Sequence, residues 1–188
     1  MILAKLMLMW QLASPVIVKQ PIPGTHSLRD TTTNFLVIHY DSGANYSATR
    51  RWLIRRGNIY HYYIKRDGTI VQMLDPKYEG AHAGLSYWDG LFRMNLYSIG
   101  ICLQRLPPET YTMPQYRSLA WLITRLESRF SDIRGRPILG HSDIAIPRGR
   151  KKDPGLDFRW DSLYILLDSI RITDLRRRWL RLDSLSKR

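Results

Sequence analysis

Phe35-Leu36-Val37-Ile38-His39-Tyr40, closed by Asp41-Ser42-Gly43, is the stretch whose reading decides the fold. A short β-rich apolar run that stops at turn formers is expected to be a buried central strand, with His39 at its end. Working outward, residues 47–56 read as a short basic helix capped by Ser47 and stopped by Gly57. Residues 59–65 and 69–74 flank Arg66-Asp67-Gly68, the signature of a β-hairpin. Residues 75–96 are rich in Gly, Asp, His and aromatics without periodicity, as in an ordered loop over a site. Residues 97–103 form another buried strand, and Leu119, Leu122, Ile123 and Leu126 recur at helical spacing within 114–130. A second helix starts near Trp160 and extends toward Leu185. Strands alternating with helices around a hairpin give an α/β fold: a central mixed β-sheet flanked by helices.

A chain of 188 residues and 22.1 kDa makes one domain with short extensions. With 44% hydrophobic and 24% charged residues it can bury a core and has no compositional case for disorder. The net charge of +13, carried by 22 Arg and 7 Lys, points to a polyanionic partner: nucleic acid, an anionic membrane or an envelope polymer. No recognisable nucleic-acid motif accompanies the charge, so specific nucleic-acid binding is not expected. A single cysteine, Cys102, excludes an internal disulfide framework and a Cys-rich zinc ribbon. No run approaches the ~20 apolar residues of a membrane span. The apolar start, residues 1–13, makes a poor signal peptide and is read with the Pro-containing lead-in as an uncleaved arm over residues 1–33.

Five histidines occur, at positions 26, 39, 61, 82 and 141. His141 follows the strand-like Pro137-Ile138-Leu139-Gly140 and opens a loop, with Pro and Gly residues, that reaches Asp153-Pro154-Gly155. Such a loop can fold back to bring His141 and Asp153 together. Two imidazoles and a carboxylate leave a fourth tetrahedral position open, the composition of a catalytic rather than a structural zinc site.

Four segments occur in a family order: residues 36–39, residues 60–69, His82 through Asn95 to Ser98-Ile99-Gly100-Ile101, and Gly140-His141-Ser142-Asp143 through Asp153-Pro154-Gly155. Together, over about residues 34–165, they resemble the zinc-dependent N-acetylmuramoyl-L-alanine amidases, a family that includes phage amidase-type lysozymes and animal peptidoglycan recognition proteins. The resemblance implies cleavage of the amide between muramic acid and the L-alanine of the stem peptide, with His39, His141 and Asp153 as ligands of Zn²⁺. The metal would lower the pKa of a bound water to about 7 and polarise the carbonyl. Many members carry a glutamate base where this chain has Cys102. The phage-type branch lacks it and has a tyrosine before the hairpin histidine, the position of Tyr60. Tyr60 is therefore expected to orient or deprotonate the water, with Cys102 a small packed residue beside the site. Lys151 resembles the oxyanion-stabilising lysine, and Arg150 or Lys152 could take that part. His82 and Asn95 match groove positions that bind substrate, and Trp88 could stack on a sugar or pack on its own loop. His61, alternating with Tyr60, should point to the opposite face.

The resemblance places the catalytic domain at residues 34–168 of a monomeric endolysin that acts on the bacterial cell wall. Such an enzyme would be made in the host cytoplasm without a cleaved signal peptide and released to the periplasm. A non-catalytic peptidoglycan-recognition module is the competing class. Residues 169–188 form a basic amphipathic C-terminal helix, in which Ile172, Leu175, Trp179 and Leu182 make a stripe among seven Lys or Arg and two Asp. That stripe either docks on the domain or meets an anionic membrane or lipopolysaccharide.

Overall fold

The computed structural model describes residues 14–186 apart from 25, 44, 106 and 107, with side chains through residue 180. The expected arm at residues 1–13 lies outside the described residues. The stretch read as a central strand is β2 (Phe35–Tyr40), one strand from the end of a six-stranded sheet ordered β1-β4-β3-β7-β2-β8. Its companions are β1 (Ile17–Lys19), β3 (Tyr62–Ile64), β4 (Ile70–Gln72), β7 (Ser98–Leu103) and β8 (Ile138–Gly140). β3, β7, β2 and β8 run parallel, whereas β4 is antiparallel to β3 and β1 parallel to β4, so the sheet is mixed as expected. The lead-in at residues 14–33 thus supplies an edge strand as well as turns.

Side chains alternate across the strands and sort into two layers. Leu36 and Ile38 of β2, Ile99, Ile101 and Leu103 of β7, and Tyr62 and Ile64 of β3 pack against Leu119, Ile123 and Leu126 of α2 (Met113–Arg129) and Leu163 and Leu167 of α4 (Trp160–Ser186). Phe35 and Val37, with Tyr63 and Cys102, face the other side, toward α1 (Tyr46–Arg56) and the long loop. His39 follows Val37 by two and pairs in register with Cys102, so it shares that second face. The polar loops gather over this face, and the site with them.

Local chemistry sets the boundaries. Asn45, not Ser47, caps α1, accepting from the Ala48 N–H at 3.0 Å. An N-cap side chain serves the N–H three residues on, and Ser47 already lies within the first turn. Gly57 ends the helix at φ +66, a conformation cheap only for glycine, while the Asn58 N–H closes on the Leu53 carbonyl. Thr112 and Gln115 form a reciprocal capping box on α2, with Pro114 in the first turn. The hairpin is present but its regular ladder is shorter than expected. The Met73 and Leu74 N–H groups both donate to the His61 carbonyl, at 2.9 and 3.3 Å, which is a bulge. That bulge lies in the 70–74 strand; in the facing strand the chain bends at His61, so alternation does not extend back from Tyr62 and Tyr60 and His61 do not take opposite faces: Tyr60 packs on His39, and His61 beside His82. The loop at 75–96 carries its own small ribbon, β5 (Tyr87–Trp88) with β6 (Leu91–Phe92). A one-turn helix, α3 (His141–Ile144), follows β8.

α4 runs unbroken across position 168, with Ile170 still in the core and Arg171 paired to Glu127 of α2. Beyond it the stripe is not docked: Ile172, Leu175 and Trp179 are 59%, 65% and 64% exposed. Among the described residues no helix is long and apolar enough to cross a membrane.

Candidate active site

His39 ends β2 on the polar face, and β8 delivers His141 beside it, because β8 pairs directly with β2. Asp143 caps its own one-turn helix by accepting from the Gly140 N–H at 2.7 Å, which fixes the start of α3 and the direction of His141. The loop then folds back: the Ser142 N–H donates to the Asp153 carbonyl at 2.9 Å. His39 Nδ1, His141 Nδ1 and Asp153 Oδ2 converge as a result, 3.1 Å apart between the nitrogens and 2.9 and 3.0 Å from each nitrogen to the oxygen.

The surrounding hydrogen bonds say what this triangle is for. His141 Nε2 lies 2.9 Å from the Ala83 carbonyl, so it carries the proton and leaves Nδ1 a lone pair. His82 Nε2 faces the Ser98 carbonyl at 3.4 Å, which leaves His82 Nδ1 as an acceptor, and His39 Nε2 donates to it at 3.0 Å. His39 Nδ1 is then a lone pair as well. Two imidazole lone pairs and a carboxylate oxygen facing one another without a shared proton call for a cation. A tetrahedral zinc with bonds of about 2.0–2.1 Å spaces its ligands roughly 3.3 Å apart, close to this triangle. His39, His141 and Asp153 are also the one group among the described residues with metal-ligand geometry. Burial pushes His39 down to about 4 and so holds its imidazole neutral, as ligation requires.

His82 thus stands behind a ligand, with both ring nitrogens used inside the protein, rather than reaching for substrate as the sequence led us to expect. Asn95 commits its amide oxygen to the backbone, its Oδ1 accepting from the N–H groups of His82 and Ala83 at 3.1 and 2.7 Å. It shapes the loop that carries His82 and the carbonyl partner of His141. One layer further back, His61 Nδ1 accepts from the Gly100 N–H, and Arg29 donates to the carbonyls of Pro76, Asn95, Leu96 and Ser98. Arg29 clamps the loop to the sheet, a role that a lone arginine in a polar lead-in gives no local sign of.

Tyr60 packs its ring on His39, 5.0 Å between centroids. Burial foremost raises the pKa of both, Tyr60 and Cys102 lying well above their ordinary values. Cys102 is fully buried between Tyr63 and His39 across the sheet, a packed residue as expected. Tyr63 in turn donates to the buried Asp41 at 2.6 Å, which also accepts from Thr49 and the Arg105 N–H.

A cavity of about 980 Å³ opens over the triangle. Tyr60, His82, Asn95 and Lys151 line it, with Trp52 and Arg55 of α1 on the opposite wall. Of the three basic candidates, Arg150 is occupied: it donates to the carbonyls of Ile146 and Leu85 at 2.8 and 2.7 Å and pins the loop. Lys151 and Lys152 remain on the cavity wall, and the Lys151 charge is felt at His39. Trp88 does not line the cavity. It packs with Phe35, Val37, Met94 and Leu139, on the bland side of the sequence alternatives.

A parallel-centred α/β sheet with an open three-donor metal site at its strand ends is the class that fold and site define. A family model described as N-acetylmuramoyl-L-alanine amidase matches residues 29–156, and the chain belongs to that family. It is 39% identical over 107 residues, 57% of either chain, to 1,6-anhydro-N-acetylmuramyl-L-alanine amidase AmpD of Escherichia coli. The chain thus spans little more than half the length of the curated relatives it matches. A selenomethionine AmpD crystal structure superposes with a TM-score of 0.67 at 29% identity, covering 83% of this chain and 96% of that one. The Escherichia coli amidase AmiD, solved with the substrate anhydro-N-acetylmuramic acid-L-Ala-D-gamma-Glu-L-Lys, superposes with a TM-score of 0.65 at 27% identity, covering 71% and 57%.

Proposed function

We propose that this chain is a zinc-dependent peptidoglycan hydrolase that cleaves the amide between N-acetylmuramic acid and L-alanine of the stem peptide. The observation that carries it is the triangle of lone pairs at His39, His141 and Asp153, of which His141 and Asp153 line an open cavity. Zinc held there would polarise the amide carbonyl and make water acidic enough to attack at neutral pH. The chain's own groups do the rest. His82 and the Ala83 carbonyl hold the two imidazoles in the tautomer and direction the site needs. Tyr60, against His39 at the cavity wall and kept as the neutral phenol by burial, orients the attacking water by hydrogen bonding. Lys151 supplies positive charge where the carbonyl oxygen becomes negative. Arg55 and Lys152 give the cavity a basic rim suited to the carboxylates of a stem peptide.

Within this activity we favour a wall-lytic, endolysin role acting on the polymer, as a monomer. Its support is the Tyr60 and Cys102 pair, which replaces the glutamate of other members as in the phage-type branch. The 39% identity to a 1,6-anhydro-N-acetylmuramyl-L-alanine amidase favours a second reading, action on soluble anhydro-muropeptides. One assay tests both: purified sacculi and soluble anhydro-muropeptide, each with and without chelator. Loss of turbidity with new L-alanine N-termini supports the lytic role, whereas turnover of the soluble substrate alone supports the second. Binding to sacculi with no new N-termini from either substrate would instead make the chain a recognition module.

A further inference from the structure

The outer end of α4 presents an apolar face that the body of the protein does not use. Leu163, Leu167 and Ile170 bury one side of this helix against α2 and the sheet. Counted at about 100° per residue, the stripe of Ile172, Leu175 and Trp179 is centred roughly 150° around the helix from them. The exposed Tyr164 and Ile165 continue the same stripe toward the helix start, giving about 22 Å of apolar face from Tyr164 to Trp179, interrupted by Asp168. The core-facing side beyond Ile170 carries Asp174 and Arg177, which pair with each other. Polar and apolar sides thus exchange places at Ile170, and lengthening the core contact would not cover the stripe.

Charge complementarity names the occupant. Arg176 and Arg178 flank the stripe on its two sides, both are exposed, and neither has an ion pair to a described carboxylate. A second copy of the helix would bring these arginines against their own counterparts, which is repulsive at coiled-coil flanks. A surface of phosphates would instead be met by two guanidinium forks, with Trp179 at the depth where its amphipathic ring is most stable. We propose that the distal half of α4 is an interfacial membrane anchor, lying along an anionic phospholipid bilayer with Ile172, Leu175 and Trp179 inserted and Arg176 and Arg178 on the headgroup phosphates. The anchor is independent of the chemistry in the cavity, and its failure would leave the amidase reading untouched.

The test is co-sedimentation of the full chain with phosphatidylglycerol-containing vesicles and with pure phosphatidylcholine vesicles, at low and high salt. Binding is expected only to the anionic vesicles and is expected to weaken with salt. Arg176→Gln with Arg178→Gln should weaken it by roughly fivefold per arginine removed. Leu175→Glu with Trp179→Glu should weaken it by about tenfold or more. Both variants change exposed positions, and unchanged circular dichroism and thermal unfolding would show that they fold. Equal binding by the variants, equal binding to phosphatidylcholine, or no binding overturns the proposal. So does a concentration-dependent dimer in sedimentation equilibrium that Leu175→Glu with Trp179→Glu dissociates, because the stripe would then belong to a second copy.

Discussion

Gly100→Ala probes the support behind the metal site through a single methyl group. A Cβ at Gly100 would lie 2.5, 2.7 and 2.8 Å from Cγ, Nδ1 and Cδ2 of His82, where ordinary contacts are 3.4–4 Å. The imidazole must retreat by about an ångström to relieve this, in a core that resists such shifts. It has little slack: its Nδ1 accepts from His39 Nε2 at 3.0 Å, and its Nε2 already reaches the Ser98 carbonyl at 3.4 Å. Losing the outer hydrogen bond of a ligating histidine typically costs 10–100-fold in metal affinity, and about that loss is expected here. The overpacking itself should cost about 1–3 kcal/mol of folding stability. His82→Ala separates the two effects, since it removes the hydrogen bond without a clash and should show the same loss of affinity. The assay is zinc affinity by chelator competition, with urea unfolding of the metal-free protein alongside. A folded Gly100→Ala and a folded His82→Ala that both bind zinc as tightly as the parent would refute the positioning role of His82.

Tyr60→Phe should lose most turnover yet retain zinc, measured as turnover and metal content on the same preparation; unchanged turnover removes Tyr60 from the mechanism. Asp153→Asn leaves three neutral ligands, so zinc affinity and turnover should fall together, and a variant that keeps full metal affinity would break the ligand assignment. Burial holds His61 down to about 3, and the unfolded chain takes up a proton near pH 6.5 that the folded chain refuses. Stability of the metal-free protein is therefore full above that pH and lost as pH falls toward 3, by about 2 kcal/mol between pH 7 and pH 5 for this one group. Urea unfolding at the two pH values checks it, and a flat profile would contradict a buried neutral His61. Arg171→Ala strands the buried Glu127 carboxylate, but the arginine side chain is 40% exposed and water can reach in. The expected loss is nearer ~1 kcal/mol than the ~3–5 of a fully buried pair, read as a small drop in thermal midpoint.

What was legible in the sequence is what local pattern determines. β2 and β7 are short, mostly apolar runs, α2 repeats at helical spacing, and Asp67-Gly68 marks the hairpin, so the mixed sheet and its helices followed. His39, His141 and Asp153 could be named because four segments resemble the amidase family in order, and the loop with proline and glycine between the last two can turn back. The jobs of His82, Asn95 and Arg29 were not legible, because their partners lie far away along the chain. Arg29 meets carbonyls 47 to 69 residues distant, and His82 meets His39 across 43. A residue type at a groove position says that it is near substrate; only the hydrogen-bond census says whether its donors and acceptors are still free. Asn95 had spent its amide oxygen, and Arg150 its Nε and Nη2, on backbone, whereas Lys151 and Lys152 stand on the cavity wall. The same limit governed the two readings taken from periodicity. Alternation from Tyr60 to His61 failed at a bend at His61 that no local pattern marks. The stripe on α4 was visible as a stripe, but a helical period fixes which residues share a face and not which face meets the body. Ile170 decides that, being the last position with a described side chain at which the core-facing side is apolar, and every consequence drawn for the outer helix depends on where that side ends.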